Sequence, residues 1–162
     1  MDAFFSELTR NFKELSKRVS RFETWEPSTG FVDTGAHAYL TANQALGAGV
    51  YTVIAFNAEL WDTDGIHSAG TMTIPVDGKY LFTTALFTSG LAGTLYTMIY
   101  RTANLTPVSA YGGTVVTGNL SVIMDCVTGD TLTVQANPSG PTTILGVAAY
   151  PYTSYFQVQR VG

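Results

Sequence analysis

The sequence predicts a mostly-β protein, an antiparallel sandwich or jelly roll of about ten strands, preceded by an N-terminal amphipathic α-helix. Three observations lead there. Apolar residues recur at helical spacing in residues 2–25 and then change to a period of two. The period-two segments are rich in Val, Ile, Thr, Tyr and Phe and are separated by turn pairs containing Gly and Asp. A chain of 162 residues can also bury a sizeable core without staples.

The helix comes first. Phe5, Leu8, Phe12, Leu15, Val19 and Phe22 are spaced 3, 4, 3, 4, 3, which is a heptad stripe. Asp2 and Glu7 lie near its start and Lys17, Arg18 and Arg21 toward its end, as the helix dipole favours. No Gly or Pro interrupts the segment before Pro27, so the pattern predicts a helix over 1–26. Such a stripe can coil with further copies of itself, dock on a foreign protein, or fold back on its own domain. A helix of this length is marginal alone in water, and Phe is unusual at coiled-coil core positions. Coiling would therefore need another part of the chain to hold the copies together. Pro27-Ser28-Thr29-Gly30 then breaks the helix, giving a linker over 27–35.

Residues 36–162 read as one β domain. Strands are predicted at His37–Thr41, Tyr51–Phe56, Thr71–Val76, Tyr80–Thr88, Thr94–Arg101, Thr114–Thr117, Leu120–Val127, Thr131–Ala136, Thr142–Ala149 and Tyr155–Val161. Turns are predicted at Asp64-Gly65, Asp77-Gly78, Gly112-Gly113, Gly129-Asp130 and Ser139-Gly140-Pro141. Pro75–Tyr80 reads as strand, tight turn, strand. Tyr80, Phe82 and Thr84 alternate with Leu81, Thr83 and Ala85, and Leu95, Thr97 and Ile99 with Tyr96, Met98 and Tyr100. Both faces of these strands carry bulk, so both need a cover: a second sheet or a second subunit.

Composition narrows the function. Charged residues make up only 12% of the chain, and the net charge is −4. So few charges would leave an isolated monomer poorly dispersed, and subunit interfaces are one remedy. The acidic balance argues against nucleic acid as a partner. No apolar run reaches the length needed to span a bilayer, so no membrane partner is expected. The N-terminus MDAFFSELTRNFKELSKR lacks the succession of a secretion signal. The expectation is a protein that acts in the cell making it or leaves within an assembly. Cys126 alternates with Val122 and Met124 and reads as a buried small hydrophobe.

Several short runs together carry a resemblance. They are Ala42-Asn43-Gln44, Tyr51-Thr52-Val53-Ile54-Ala55-Phe56, Trp61-Asp62-Thr63-Asp64-Gly65-Ile66-His67, Ile74–Phe82, Val127–Val134 and Ser154–Val158. Their order, over residues 36–161, resembles the C1q/TNF-like jelly-roll superfamily, and more narrowly the C1q-like domains of bacteriophage structural proteins. The resemblance implies a ten-stranded sandwich that trimerises through one edge and face. In such a trimer a tyrosine face would line the three-fold axis, with Tyr96, Tyr100, Tyr111 and Tyr155 as interface candidates beside the helical stripe.

The chemistry-bearing residues are few. Asp62-Thr63-Asp64-Gly65, with Glu59 before it, has the opening of a calcium loop but lacks the rest of one, and the same residues make an ordinary Asx turn. Some C1q-like domains hold calcium, so Asp62 and Asp64 are weak calcium candidates; no other cofactor is indicated. His37 and His67 stand far apart, and His67 reads as a hydrogen-bonded residue at a strand start before it reads as a ligand. No nucleophile arrangement, phosphate loop or zinc set is present, so no enzyme is expected. The expected function is a homotrimeric bacteriophage virion protein, made in the host cytoplasm and standing on the outer surface of the particle. Its job would be capsid decoration or cement, or a short head fibre. The N-terminal helix would dock it on the major capsid protein or another virion protein. The alternative is a tail-fibre tip recognising the host surface. A cell-surface binding module, with Trp61 or Tyr152 stacking on sugars, is a third reading, against which the absent secretion signal and collagen-like stalk count.

Overall fold

The computed structural model describes residues 34–89, 93–102, 106–113 and 117–162. The helix predicted over 1–26, with Phe5, Leu8, Phe12, Leu15, Val19 and Phe22, and most of the linker lie outside the described residues. Within them the chain forms thirteen strands in two antiparallel sheets.

The first sheet is organised around β7 (Gly78–Ser89). β10 (Thr117–Cys126) pairs along one of its sides. β13 (Tyr155–Arg160) and β12 (Thr142–Ile144) pair end to end along the other. β1 (Gly35–Tyr39) pairs with β13, β4 (Ala58–Asp62) with β1, and β2 (Gln44–Leu46) with β12. The second sheet runs β5 (His67–Ser68), β6 (Thr71–Thr73), β11 (Thr131–Pro138), β8 (Leu95–Arg101), β9 (Thr106–Gly113), and β3 (Thr52–Val53) also pairs β11.

The period of two sets the core. Tyr80, Phe82, Thr84, Leu86 and Thr88 of β7 point inward, and Phe82 and Phe156 stack with centroids 6.2 Å apart. Leu95 and Ile99 of β8, Leu132, Val134 and Ala136 of β11, and Met72 of β6 close the core from the second sheet. Burying these side chains contributes roughly 1.5–3 kcal/mol each. Two buried hydroxyls are satisfied locally: Tyr80 donates to the Val76 carbonyl at 2.7 Å and Thr84 to the Tyr155 carbonyl at 2.7 Å.

Several boundaries differ from the sequence pattern, each for a local reason. Tyr51–Phe56 contributes only β3, because the Gln44 side chain takes over as its neighbour. Its amide nitrogen donates to the Val53 carbonyl and its oxygen accepts from the Ala55 N–H, both at 2.9 Å. Thr142–Ala149 stops at Ile144, since the Leu145 N–H goes to the Phe87 carbonyl and the Gly146 N–H to Asn43 Oδ1. Gly112-Gly113, predicted as a turn, lies in β9, which the pattern does not predict. β9 ends the order of the second sheet and pairs with β8, a placement that tolerates Pro107. β2, β4 and β5 are likewise unpredicted and short. Pro75–Tyr80 is no hairpin. It carries the chain from β6 in one sheet to β7 in the other, so its two arms do not pair.

Candidate functional site

Residues 34–162 hold nine charged side chains, and the fold gathers eight of them at one end of the sandwich. Asp62 and Asp64 follow β4, and Asp77 and Lys79 flank the start of β7. Asp125 is near the end of β10 and Asp130 just before β11, while Arg101 and Arg160 end β8 and β13. The β1 strand also starts there, at Gly35 opposite Gln159. The ninth, Glu59, is on the edge strand β4 and meets His67.

These charges brace loops. Asp62 accepts the Ile66 and His67 N–H groups at 2.9 Å each, and the Asp64 N–H at 3.3 Å. Asp64 accepts from the Thr63 hydroxyl at 3.2 Å. Asp77 accepts both the N–H and the hydroxyl of Thr128, at 2.7 and 2.8 Å, which holds its carboxyl below the usual range. Asp130 accepts the Val127 N–H at 3.0 Å and faces Arg101 at 3.7 Å. Arg101 also donates to the Asp125 carbonyl at 2.8 Å and covers Cys126, whose thiol burial pushes up. Arg160 donates to the Asp77 carbonyl at 3.0 Å, and Lys79 sits 3.9 Å from Asp125. Among the described residues no group of three or more His, Cys, Asp or Glu side chains is gathered as a metal ion would need.

His67 is a buried pin at the start of β5. Its Nδ1 meets Glu59 Oε1 at 2.8 Å, and its Nε2 accepts the Gly70 N–H at 3.1 Å. The Phe56 carbonyl oxygen lies 3.2 Å from the same Nε2, so three groups hold the ring in place. Gly70 has φ of +79°, and a Cβ there would lie 2.7 Å from the Ile54 carbonyl oxygen. Only glycine fits against the Ile54–Phe56 backbone there.

The outward face of the first sheet is of another character. Leu81, Thr83, Ala85 and Phe87 of β7 lie beside Asn119, Ser121 and Ile123 of β10 and Tyr155, Gln157 and Gln159 of β13. Above the Lys79–Asp125 pair these strands carry no charge. Ile123 stands 62% exposed at the centre of β10. His37 stacks on Tyr155 with centroids 4.9 Å apart and meets the edge of Tyr152 at 5.3 Å. Its Nδ1 lies 3.4 Å from Gln157 Oε1 and its Nε2 3.3 Å from the Pro151 carbonyl.

That face runs up to the end opposite the charges, where residues 40–51 and 145–154 come together. Tyr51, Tyr150 and Tyr152 are 51%, 67% and 63% exposed, with Val50 and Val147 beside them. Phe87, Ala149, Tyr150, Pro151, Tyr152 and Thr153 border an open, mainly apolar groove of about 490 Å³. No charged side chain among the described residues lies at this end.

The tyrosines expected to share one interface do not share a face. Tyr96 and Tyr100 point outward from β8 in the second sheet, while Tyr155 points outward from β13 in the first, on the opposite side of the sandwich. Tyr111 pairs with Thr97. The period of two places a side chain relative to its own strand only, so it could not reveal this. Trp61 is half-buried, its ring against Gly35, where a Cβ would come within 2.8 Å of it. Ile123, Phe87, Tyr51 and Tyr150 escaped the sequence reading. The signal that could have found them is the length of the charge-free stretches that hold them, residues 34–58, 80–100, 102–124 and 131–159.

The fold is a TNF/C1q-like jelly roll. Solved structures with the same architecture include a TNF, Eiger, from S. frugiperda, with TM-score 0.64 and 14% identity over 80% of this chain and 93% of that one. Murine APRIL gives TM-score 0.65 and 10% identity over 79% of this chain and 98% of its own. The globular domain of the zebrafish complement 1qA protein gives 0.57 and 15%, over 80% and 98%. No family model matches the chain, and no curated protein matches it either.

Proposed function

We propose that this chain is a non-enzymatic structural and binding module working as a homotrimer. It stands on the outer surface of a bacteriophage particle as a capsid decoration or cement protein or short head fibre. Its partner is the major capsid protein or another virion protein, reached through residues 1–26. The observation that carries this reading is the segregation of charge. Eight of the nine charges in residues 34–162 lie at one end, most of them bracing loops, which leaves the sheet faces largely neutral, with apolar side chains such as Ile123 on view. A neutral face of this kind favours burial against another copy over exposure to water. The face of the first sheet around Leu81, Ile123 and Tyr155 is the trimer contact in this reading. The phage setting is supported by the likeness of the Asn43-Gln44, Asp62–His67 and Pro75–Tyr80 runs to phage C1q-like domains.

Two measurements test it in order. Sedimentation equilibrium of the full chain at micromolar concentration should give three times the 17.4 kDa subunit mass. A well-dispersed single subunit would remove the trimer and with it the building-block role. Mixing the trimer with undecorated capsids should then give saturable binding in threes; binding to host cells with indifference to capsids would favour a tail-fibre tip. The exposed tyrosines at the neutral end are the feature that favours that second reading.

A further inference from the structure

We propose that the neutral end is a binding surface for uncharged carbohydrate, a hexose polymer whose sugar faces stack on Tyr150 and Tyr152. A pyranose presents an apolar C–H face ringed by hydroxyls. A tyrosine ring matches that face, and its hydroxyl matches the rim. Tyr150 and Tyr152 flank Pro151, and their rings are 67% and 63% exposed. Phe87 lines the groove with them. The groove is open to solvent, which suits the edge of a polymer better than an enclosed small molecule.

Charge selects the class of ligand. The surrounding loops, residues 40–51 and 138–154, mix Thr, Ser, Asn, Gln, Gly, Ala and Tyr with prolines and with Leu, Ile and Val, of which Val50 and Val147 are exposed, and contain no charged side chain. A phosphorylated, sulfated or sialylated glycan would find no Arg or Lys to meet its anions. A protein partner would find neither an arginine anchor nor a charged rim. Two exposed tyrosines flanking a proline, with neutral hydrogen-bonding side chains in the same loops and no charge, leave an uncharged sugar as the best fit. The location agrees: Thr34, where the described chain begins, is at the opposite end, bonded through its carbonyl to the Arg160 N–H at 2.8 Å. This inference rests on the proposed function only in taking that opposite end as the attached one.

The test uses the full chain and follows tyrosine fluorescence during titration with dextran, mannan, and cello- and chito-oligosaccharides, with heparin as the charged control. The expected result is saturable binding to at least one neutral glycan and none to heparin. Tyr150→Ser, at a ring outside the core, should weaken that binding about tenfold. Tyr150→Ser with Tyr152→Ser should abolish it, and both variants should keep the parent's subunit mass. No binding to any neutral glycan at millimolar concentration overturns the proposal, as does undiminished binding by the double variant. A fall in subunit mass in either variant also overturns it, by showing that a second copy fills the groove. Because mass and binding are read separately, loss of the sugar site leaves the trimer question standing.

Discussion

Individual residues in this domain act mainly as loop braces, and their substitution should report on stability. Asp62 satisfies the Ile66 and His67 amides from one carboxylate, so Asp62→Ala strands partly buried donors. The expected cost is about 1–3 kcal/mol, read as a lower denaturant midpoint with unchanged slope. Asp77 has a different readout. Its two bonds from Thr128 favour the carboxylate, so the folded value lies below the unfolded one near 3.9. The stabilisation is therefore complete above the unfolded value and disappears as pH falls through the folded one. Thermal melts of Asp77→Asn should show less loss between pH 5 and the acid limit than the parent; an identical acid slope would count against the Thr128 bonds. Gly70 combines positive φ with the close Ile54 carbonyl, and Gly70→Ala should destabilise by more than the usual surface substitution of about 0.5 kcal/mol.

Strands show where local pattern suffices and where it does not. The long strands β7, β10, β11 and β13 were legible because each alternates over six residues or more with aromatic or β-branched inward positions. β2 and β5 have three residues or fewer, too few for a period to emerge, and β2 pairs with the distant β12. β4 is longer but sits on the edge, with no clean alternation to mark it. β7 and β10 carry the contrast between an inward and an outward apolar set. Phe82→Ala removes an inward ring and should cost about 3–5 kcal/mol of folding stability. Ile123→Asp removes an outward one and should leave folding within about 0.5 kcal/mol while lowering subunit mass in sedimentation. If Ile123→Asp leaves the mass unchanged, the contact lies on another face.

The β domain is polarised: eight of its nine charges and both of its chain ends at one pole, Tyr150 and Tyr152 at the other, largely neutral sheet faces between. Association through such a face depends on apolar burial, which salt does not screen. Subunit mass should therefore stay constant from 0.05 to 1 M NaCl, whereas an assembly held by ion pairs would dissociate. The candidate site was only half visible in advance. Tyr152 and Tyr155 stood out as residues, yet their neighbours Phe87 and His37 are more than 60 positions away in sequence, and only folding brings them together.

By itself the sequence determined the β-rich fold class, the two alternating side-chain sets of each long strand, most of the turns and the scarcity of charge. All of these follow from local periodicity and composition. The tertiary structure alone decided which strands share a sheet, that Pro75–Tyr80 crosses between sheets, that Tyr96 and Tyr155 face opposite ways, and that the charges gather at one end. The reason is that a period of two assigns a side chain to one of two faces of its own strand. Pairing across tens of residues is needed before that face has a direction in the molecule.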